Sequence, residues 1–328
     1  VDQQALKILE DAVFNIQSTA DFERTALAVF RFQREHCAVY GDFLEQLGWP
    51  EPTSVAEIPF LPISFFKSHE IRSGLRAEET LFMSSGTTGM IRSKHHVESV
   101  EMYRRSFLPI YQQQIGDPRK QIILALLPNY IEQGNSSLVF MVDALIAETQ
   151  DPLSGFYLDN LQELLDAYQE AKSAGKEIVI FGVSYALLDL ADLCPDLSGA
   201  RIIETGGMKG RRKELSKEEL HEILKNAFHV PFISSEYGMT ELLSQAYSNQ
   251  DGLFDLPRWM QVMIRDTNDP KAYLPEGKTG GVNVIDLANL YSCSFISTQD
   301  LGKMTANQLQ LMGRFDHSDI RGCNLMVE

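Results

Sequence analysis

Long apolar runs are absent from these 328 residues. The best candidate for a membrane span, Leu138 to Ala147, is short and carries Asp143. Cysteine is scarce: Cys37, Cys194, Cys293 and Cys323 lie far apart with no C-x-x-C pair, which argues against a disulfide framework or structural zinc and for a reduced, cytoplasmic setting. No signal peptide is read at the N-terminus, where Asp2 and Gln3 open an amphipathic pattern. Basic residues are in deficit, 29 against 45 acidic, for a formal net charge of -16. Such a field disfavours nucleic acid and anionic membranes as primary partners, because both are bound through cationic patches. Internal repeats, low-complexity tracts and H-x-x-x-H pairs are missing too. The doublet His95-His96 is read as a solvated loop, and Cys37, Cys194 and Cys293 as core residues.

What is present is a 44% hydrophobic chain with helical and strand periodicities in a definite order. Ala5, Ile8, Leu9, Ala12, Val13 and Ile16 recur at helical spacing. Asp21 is placed as the cap of a second helix through Leu27, Phe30, Phe32 and Tyr40 toward Gly48. Prolines 50, 52, 59 and 62 follow, then the aromatic segment Ile63 to Lys67, and a helix is expected from Val97 to Ile115. From there strands and helices alternate. Gln121–Leu127, Glu177–Phe181, Arg201–Glu204 and Val230–Ser234 read as buried strands; between them come helices from Ser136, from Asp159 as cap, from Tyr185, and from the capping box Ser216/Glu219. The alternation predicts an α/β fold with a parallel sheet, whose ligand sites lie beyond the carboxyl ends of the strands. After about Gly252 short strands separated by turns predict a smaller β-rich subdomain. The expected organisation is an α/β core over 1–250, a β-rich subdomain over 251–312 and a hinge with a short C-terminal segment over 313–328.

Four polar clusters fall where strands or turns end. In Ser84-Ser85-Gly86-Thr87-Thr88-Gly89, glycines let the backbone approach a ligand, and hydroxyls with free N–H groups can surround phosphate oxygens. It is neither a Walker loop nor a dinucleotide fingerprint. In Ser234-Ser235-Glu236-Tyr237-Gly238-Met239-Thr240-Glu241, an aromatic ring can stack on a base and the Glu241 carboxylate suits Mg²⁺. In Ser297-Thr298-Gln299-Asp300-Leu301 a carboxylate can accept from both ribose hydroxyls. At Gly313-Arg314 a guanidinium can neutralise phosphate or pair with that carboxylate. Taken singly, each has a plain structural explanation: core ring, helix-start charge, turn residue, surface cation.

Together and in this order the clusters resemble the motifs of the adenylate-forming superfamily, which includes acyl-CoA synthetases and nonribosomal adenylation domains. They are its phosphate loop, its Y-G-x-T-E, its T-G-D-L and its G-R-x-D hinge at Gly313-Arg314-Phe315-Asp316. Leu61-Pro62-Ile63-Ser64-Phe65-Phe66-Lys67, Gly206-Gly207-Met208-Lys209-Gly210 and Arg321-Gly322-Cys323 narrow the resemblance to the acyl-protein synthetases of the bacterial luciferase system. The resemblance implies the large N-terminal-type domain of those enzymes, with the small C-terminal domain largely missing. It implies ATP and Mg²⁺ as cofactors, and a carboxylic acid, by the family a fatty acid, as substrate. Ser84, Ser85, Gly86, Thr87, Thr88 and Gly89 would hold the β- and γ-phosphates. Gly206 and Gly207 would pass beside adenine and Tyr237 stack on it, within the motif that Glu236 and Gly238 share. Thr240 would touch the α-phosphate or the carboxylate, Glu241 bind Mg²⁺, Asp300 the ribose, and Arg314 assist.

Three departures from the family pattern stand out. Gly89 is followed by Met90-Ile91-Arg92-Ser93-Lys94 instead of G-x-P-K, so either Arg92 or Lys94 can serve the phosphates. Gln299 replaces a glycine. Few residues follow the hinge motif, so the usual C-terminal-domain lysine is replaced or dispensed with, Lys209 being a candidate substitute. By the family, Cys323 would accept the acyl group and pass it to an acyl-CoA reductase-like or acyl-carrier partner. Two kinds of rival are carried: a CoA ligase of the phenylacetate type, and readings from other classes. Gly182-Val183-Ser184-Tyr185-Ala186 follows a strand and precedes a helix, the setting of a nucleophile elbow, so a serine hydrolase using Ser184 with a histidine such as His317 is one. A non-catalytic adenylate-binding protein is another.

Overall fold

A computed structural model of the chain describes residues 3–85, 91–127, 135–158, 160–206, 215–250, 252–269 and 271–315. Its centre is a six-stranded sheet in the order Gly155–Phe156, Gln121–Leu126, Glu177–Val183, Ala200–Thr205, Ser234–Tyr237, Ala246–Ser248, parallel throughout except for the last strand. The apolar runs are buried on both faces; all six residues of Gln121–Leu126 are inaccessible. Helices Ser137–Thr149, Leu161–Ser173, Ser184–Ala191 and Lys217–Phe228 alternate with the strands. The chain lays Gly155–Phe156 on one side of Gln121–Leu126, then returns to build Glu177–Val183 on the other.

A second sheet is antiparallel in the order Leu253–Phe254, Gln308–Arg314, Phe295–Thr305, Gly280–Asp286, Met260–Arg265, and Leu61–Pro62 joins it in parallel beside Phe295–Thr305. Its register sets Asp300 opposite Arg314. A separate hairpin pairs Thr80–Met83 with Lys94–Val97, the two strands that flank the glycine-rich segment in sequence. Three N-terminal helices, Gln3–Phe14, Thr19–His36 and Ala38–Leu47, pack against this frame. Gln33, fully buried, ties them down: its amide donates to Asn289 O, Leu290 O and Ser294 Oγ at 3.0 Å and accepts from Ser294 N at 2.9 Å.

Several local expectations are corrected. The first helix buries Leu6, Glu10 and Val13, while Ile8 is 64% exposed; the face is set by Glu10, whose carboxylate takes Arg76 at 2.7 Å and the Tyr291 hydroxyl. Ser18, not Asp21, caps the second helix, which stops at His36 and restarts at Ala38. Asn160 caps Leu161–Ser173; Asp159 lies outside the described residues. The segment expected to open a helix at Val97 first forms the second hairpin arm, and the helix runs Val100–Gln114 with Ser99 as cap. Phe65–Ser68 is a single helical turn, which starts three residues beyond Pro62. The fourth strand is Ser234–Tyr237 rather than Val230–Ser234. Cys37 and Cys293 are buried, but Cys194, just past a helix end with φ +48°, is exposed.

Candidate active site

The carboxyl ends of Ala200–Thr205 and Ser234–Tyr237 lie side by side and carry two buried carboxylates. Burial alone would raise the Glu204 carboxyl. Lys217 Nζ at 2.7 Å, with His221 and Ser235, outweighs it and holds the group at about 2. Burial pushes Glu236 up to about 7, against the hydrogen bond it accepts from the Thr205 hydroxyl and with the Glu204 charge behind it. Neighbouring carboxyls are thus driven apart, one a fixed anion and the other half-protonated near neutrality. Gly238 packs against this group: a Cβ there would displace the Glu236 carboxylate. Gly206 turns the chain away at φ +70°, a conformation favouring glycine.

Tyr237, the next residue, is buried with its ring edge-on to Phe254 at 5.9 Å. Its hydroxyl donates to Asp300 Oδ2 at 2.9 Å, and Arg314 Nε donates to Asp300 Oδ1 at 2.9 Å. Asp300 itself is 5% exposed inside Phe295–Thr305, its N–H bonded to Thr298 Oγ1 at 3.1 Å. The sheet register and the Tyr237 hydrogen bond between sheets together join three clusters that are separate in sequence. Arg265 braces the same strands, donating to Val282 O at 3.0 Å, Asn283 Oδ1 at 2.8 Å and Thr298 O at 2.7 Å.

Glu241 completes the join. It is 6% exposed, and burial raises its carboxyl against the nearby Ser93 hydroxyl; Arg314 and Asp300 are close enough to act on its charge. Ser93 sits at the neck of the hairpin, where its N–H donates to Ser84 Oγ at 2.9 Å and its carbonyl accepts from Ser84 N at 3.0 Å. Of the two candidate cations beyond the loop, Arg92 turns back to donate to Ser84 O at 2.6 Å, while Lys94 is exposed on the strand. Thr240 presents its carbonyl to His95 Nδ1 at 2.7 Å. Ser84, Ser85, Gly206, Glu236, Tyr237, Gly238, Thr240, Glu241, Asp300 and Arg314 are thus described. Gly86, Thr87, Thr88, Gly89, Gly207, Lys209 and Cys323 lie outside the described residues, as does His317.

Ser184 is 2% exposed and donates to Gly206 O at 2.7 Å, with Glu204 Oε2 at 3.3 Å. Among the described residues no histidine is hydrogen-bonded to it; His221 touches Glu204 and Ser235 instead. Among the described residues, then, this serine meets a carbonyl and a strongly acidic carboxylate but no base to activate it.

Sequence reading missed His95. It is 1% exposed, set edge-on to Phe66 at 5.7 Å, and burial pushes its imidazole down to about 4. Since a carbonyl only accepts, Nδ1 carries the proton. The missing clue was that the apolar arm Leu81-Phe82-Met83 needs a partner strand after the loop, which makes the doublet strand rather than loop. Asp286 was missed as well: fully buried, it accepts from Leu243 N at 2.8 Å, Ser244 N at 2.9 Å, Ser244 Oγ at 2.5 Å and Ala288 N at 3.2 Å, fixing the backbone just after Glu241.

The fold is that of adenylate-forming enzymes. It is similar to an open conformation of 2-hydroxyisobutyryl-CoA ligase in complex with 2-HIB-AMP and CoA, with TM-score 0.66 and 12% identity over 92% of this chain and 77% of that one. It is also similar to ATP-bound MatB from Rhodopseudomonas palustris, with TM-score 0.54 and 16% identity over 71% of this chain. The match covers 47% of the MatB chain. No curated protein sequence matches. No helix among the described residues is long and apolar enough to cross a membrane. The family description "Acyl-protein synthetase, LuxE" matches residues 12–328, nearly the whole sequence, and the chain therefore belongs to the LuxE acyl-protein synthetase family.

Proposed function

We propose that this protein activates a carboxylic acid, by its family a fatty acid, with ATP and loads the acyl group onto Cys323. The observation that carries the reading is the convergence of Asp300, Tyr237, Arg314, Glu241, Ser93 and Ser84 on one side of the parallel sheet, which joins four sequence clusters into one polar site. In the first step a substrate carboxylate oxygen attacks the α-phosphorus. The bond to the β-phosphate oxygen breaks and pyrophosphate leaves with the electron pair. In the second the Cys323 thiolate attacks the acyl carbon and AMP leaves, giving a thioester for delivery to a reductase-like or carrier partner.

The residues act by position and charge. Ser84 and Ser85, continuing into Gly86, Thr87, Thr88 and Gly89, surround the β- and γ-phosphates. Tyr237 and Gly206 with Gly207 flank adenine, Asp300 takes the ribose hydroxyls beside Arg314, and Thr240 meets the α-phosphate or the substrate carboxylate. Lys94, exposed beyond the loop, is free of the backbone contact that engages Arg92, and Lys209 is a second candidate lysine for the phosphates. Glu241 offers a single buried carboxylate oxygen donor, which suits Mg²⁺, an ion that keeps waters and substrate phosphates in its shell. When bound it would neutralise phosphate charge.

ATP–pyrophosphate exchange across a panel of acids tests the first step. Exchange retained by Cys323→Ala, with the protein thioester lost from intact-mass spectra, is the expected pair. Exchange with no acid would overturn the reading, and a thioester found on CoA instead of protein would move it to a CoA ligase.

A further inference from the structure

Two buried side chains from distant parts of the chain grip consecutive carbonyls of the Thr240-Glu241 pair. His95 donates from Nδ1 to Thr240 O at 2.7 Å, and Asn289 donates from Nδ2 to Glu241 O at 2.7 Å. His95 is 1% exposed and Asn289 fully buried. Both carbonyls lie between the strands Ser234–Tyr237 and Ala246–Ser248, where no sheet ladder takes them. Each donor is itself fixed. Asn289 also donates to Cys293 O at 3.2 Å, and it follows Asp286, which holds Leu243 N and Ser244 N. His95 belongs to the hairpin arm Lys94–Val97, two residues after Ser93 and on the same face of the strand. His95 bonds the Thr240 backbone from the hairpin arm, and Asn289 bonds the Glu241 backbone from the helical turn Leu287–Asn289 that follows Gly280–Asp286.

We propose that His95 and Asn289 are positioning residues that lock the Thr240-Glu241 motif to the hairpin bearing the phosphate loop. The Glu241 carboxylate then keeps one placement relative to bound nucleotide. The inference rests on the adenylating reading above and deepens it. Without either donor a buried carbonyl is left unsatisfied, and the motif is freed to seek another partner. The chemistry of the donor makes the requirement specific. The Asn Nδ2 stands the same number of bonds from the backbone as the His Nδ1, whereas the Gln Nε2 stands one bond further.

The test compares His95→Asn, His95→Gln, His95→Phe and Asn289→Leu in the full chain, with thermal unfolding recorded for each. Hydrogen–deuterium exchange of the peptide over residues 238–245 in the ligand-free protein reads the clamp directly and needs no substrate. His95→Phe, His95→Gln and Asn289→Leu are expected to speed exchange there roughly tenfold or more, with His95→Asn staying within about twofold of the parent. In ATP–pyrophosphate exchange the same three variants should raise the half-saturating Mg²⁺ concentration by roughly tenfold, and His95→Asn should restore it. Unchanged protection in His95→Phe, or equal loss in His95→Asn and His95→Phe when both remain folded, would overturn the proposal. If the parent protein catalyses no exchange with any acid, the adenylating reading fails, and the deuterium data alone decide on the clamp.

Discussion

Replacing Lys217 by Met probes the ion pair that keeps Glu204 charged beneath the site. Glu204 is 2% exposed with Lys217 Nζ at 2.7 Å, and its carboxyl is depressed from 4.5 to about 2. At about 1.4 kcal/mol for each tenfold change in proton affinity, that depression corresponds to about 3 kcal/mol of folding stability at neutral pH. Lys217 is 33% exposed, so water screens part of the attraction, and its removal is expected to cost about 2 kcal/mol. Methionine keeps the apolar stem against the Phe254 ring, over which the Lys217 Nζ lies at 5.0 Å, so lost packing adds little. The sign follows from the folded-state value lying below the unfolded one. The contribution is nearly complete above about 4.5 and fades as pH falls toward about 2, to roughly two fifths of its full size near pH 3. Urea unfolding of parent, Lys217→Met, Glu204→Gln and the double variant, at about pH 7 and about pH 3, measures the coupling as a double-mutant cycle. A parent-to-variant gap under about 0.5 kcal/mol at neutral pH, or one that fails to narrow in acid, refutes the reasoning.

Asp286→Ala leaves three buried N–H groups and a hydroxyl without their acceptor and should cost about 3 kcal/mol or more, read as a lowered unfolding midpoint. Tyr237→Phe removes one of the two side-chain donors to Asp300 and should raise the half-saturating ATP concentration by roughly fivefold in pyrophosphate exchange, about 1 kcal/mol, with Asp300→Ala costing more. Alkylation under native conditions should label Cys194 and spare Cys37 and Cys293, whose thiols burial pushes up, Cys37 to about 11; peptide mass mapping reads the result.

Most strands and helices were legible because their cause is local. An apolar run such as Ile122 to Leu126 can only be a strand buried on both faces, and Ser216 with Glu219 makes a capping box wherever it folds. The candidate site was legible as four clusters and not as a site, since nothing in Thr298-Gln299-Asp300 says that Arg314 stands opposite and Tyr237 above. Two misreadings share one origin. His95 and Ile8 were assigned by their own polarity, whereas which side chains are buried depends on partners far away in the chain.

By itself, then, the sequence determined the order of elements, the parallel sheet and the motif set, all properties of neighbouring residues and their periodicity. Tertiary structure alone decided which polar groups are buried. A buried imidazole, carboxylate or amide is tolerable only where a complementary group meets it. For His95 that group is Thr240, 145 residues on; for Asn289 it is Glu241, 48 residues back; for Tyr237 it is Asp300, 63 residues on.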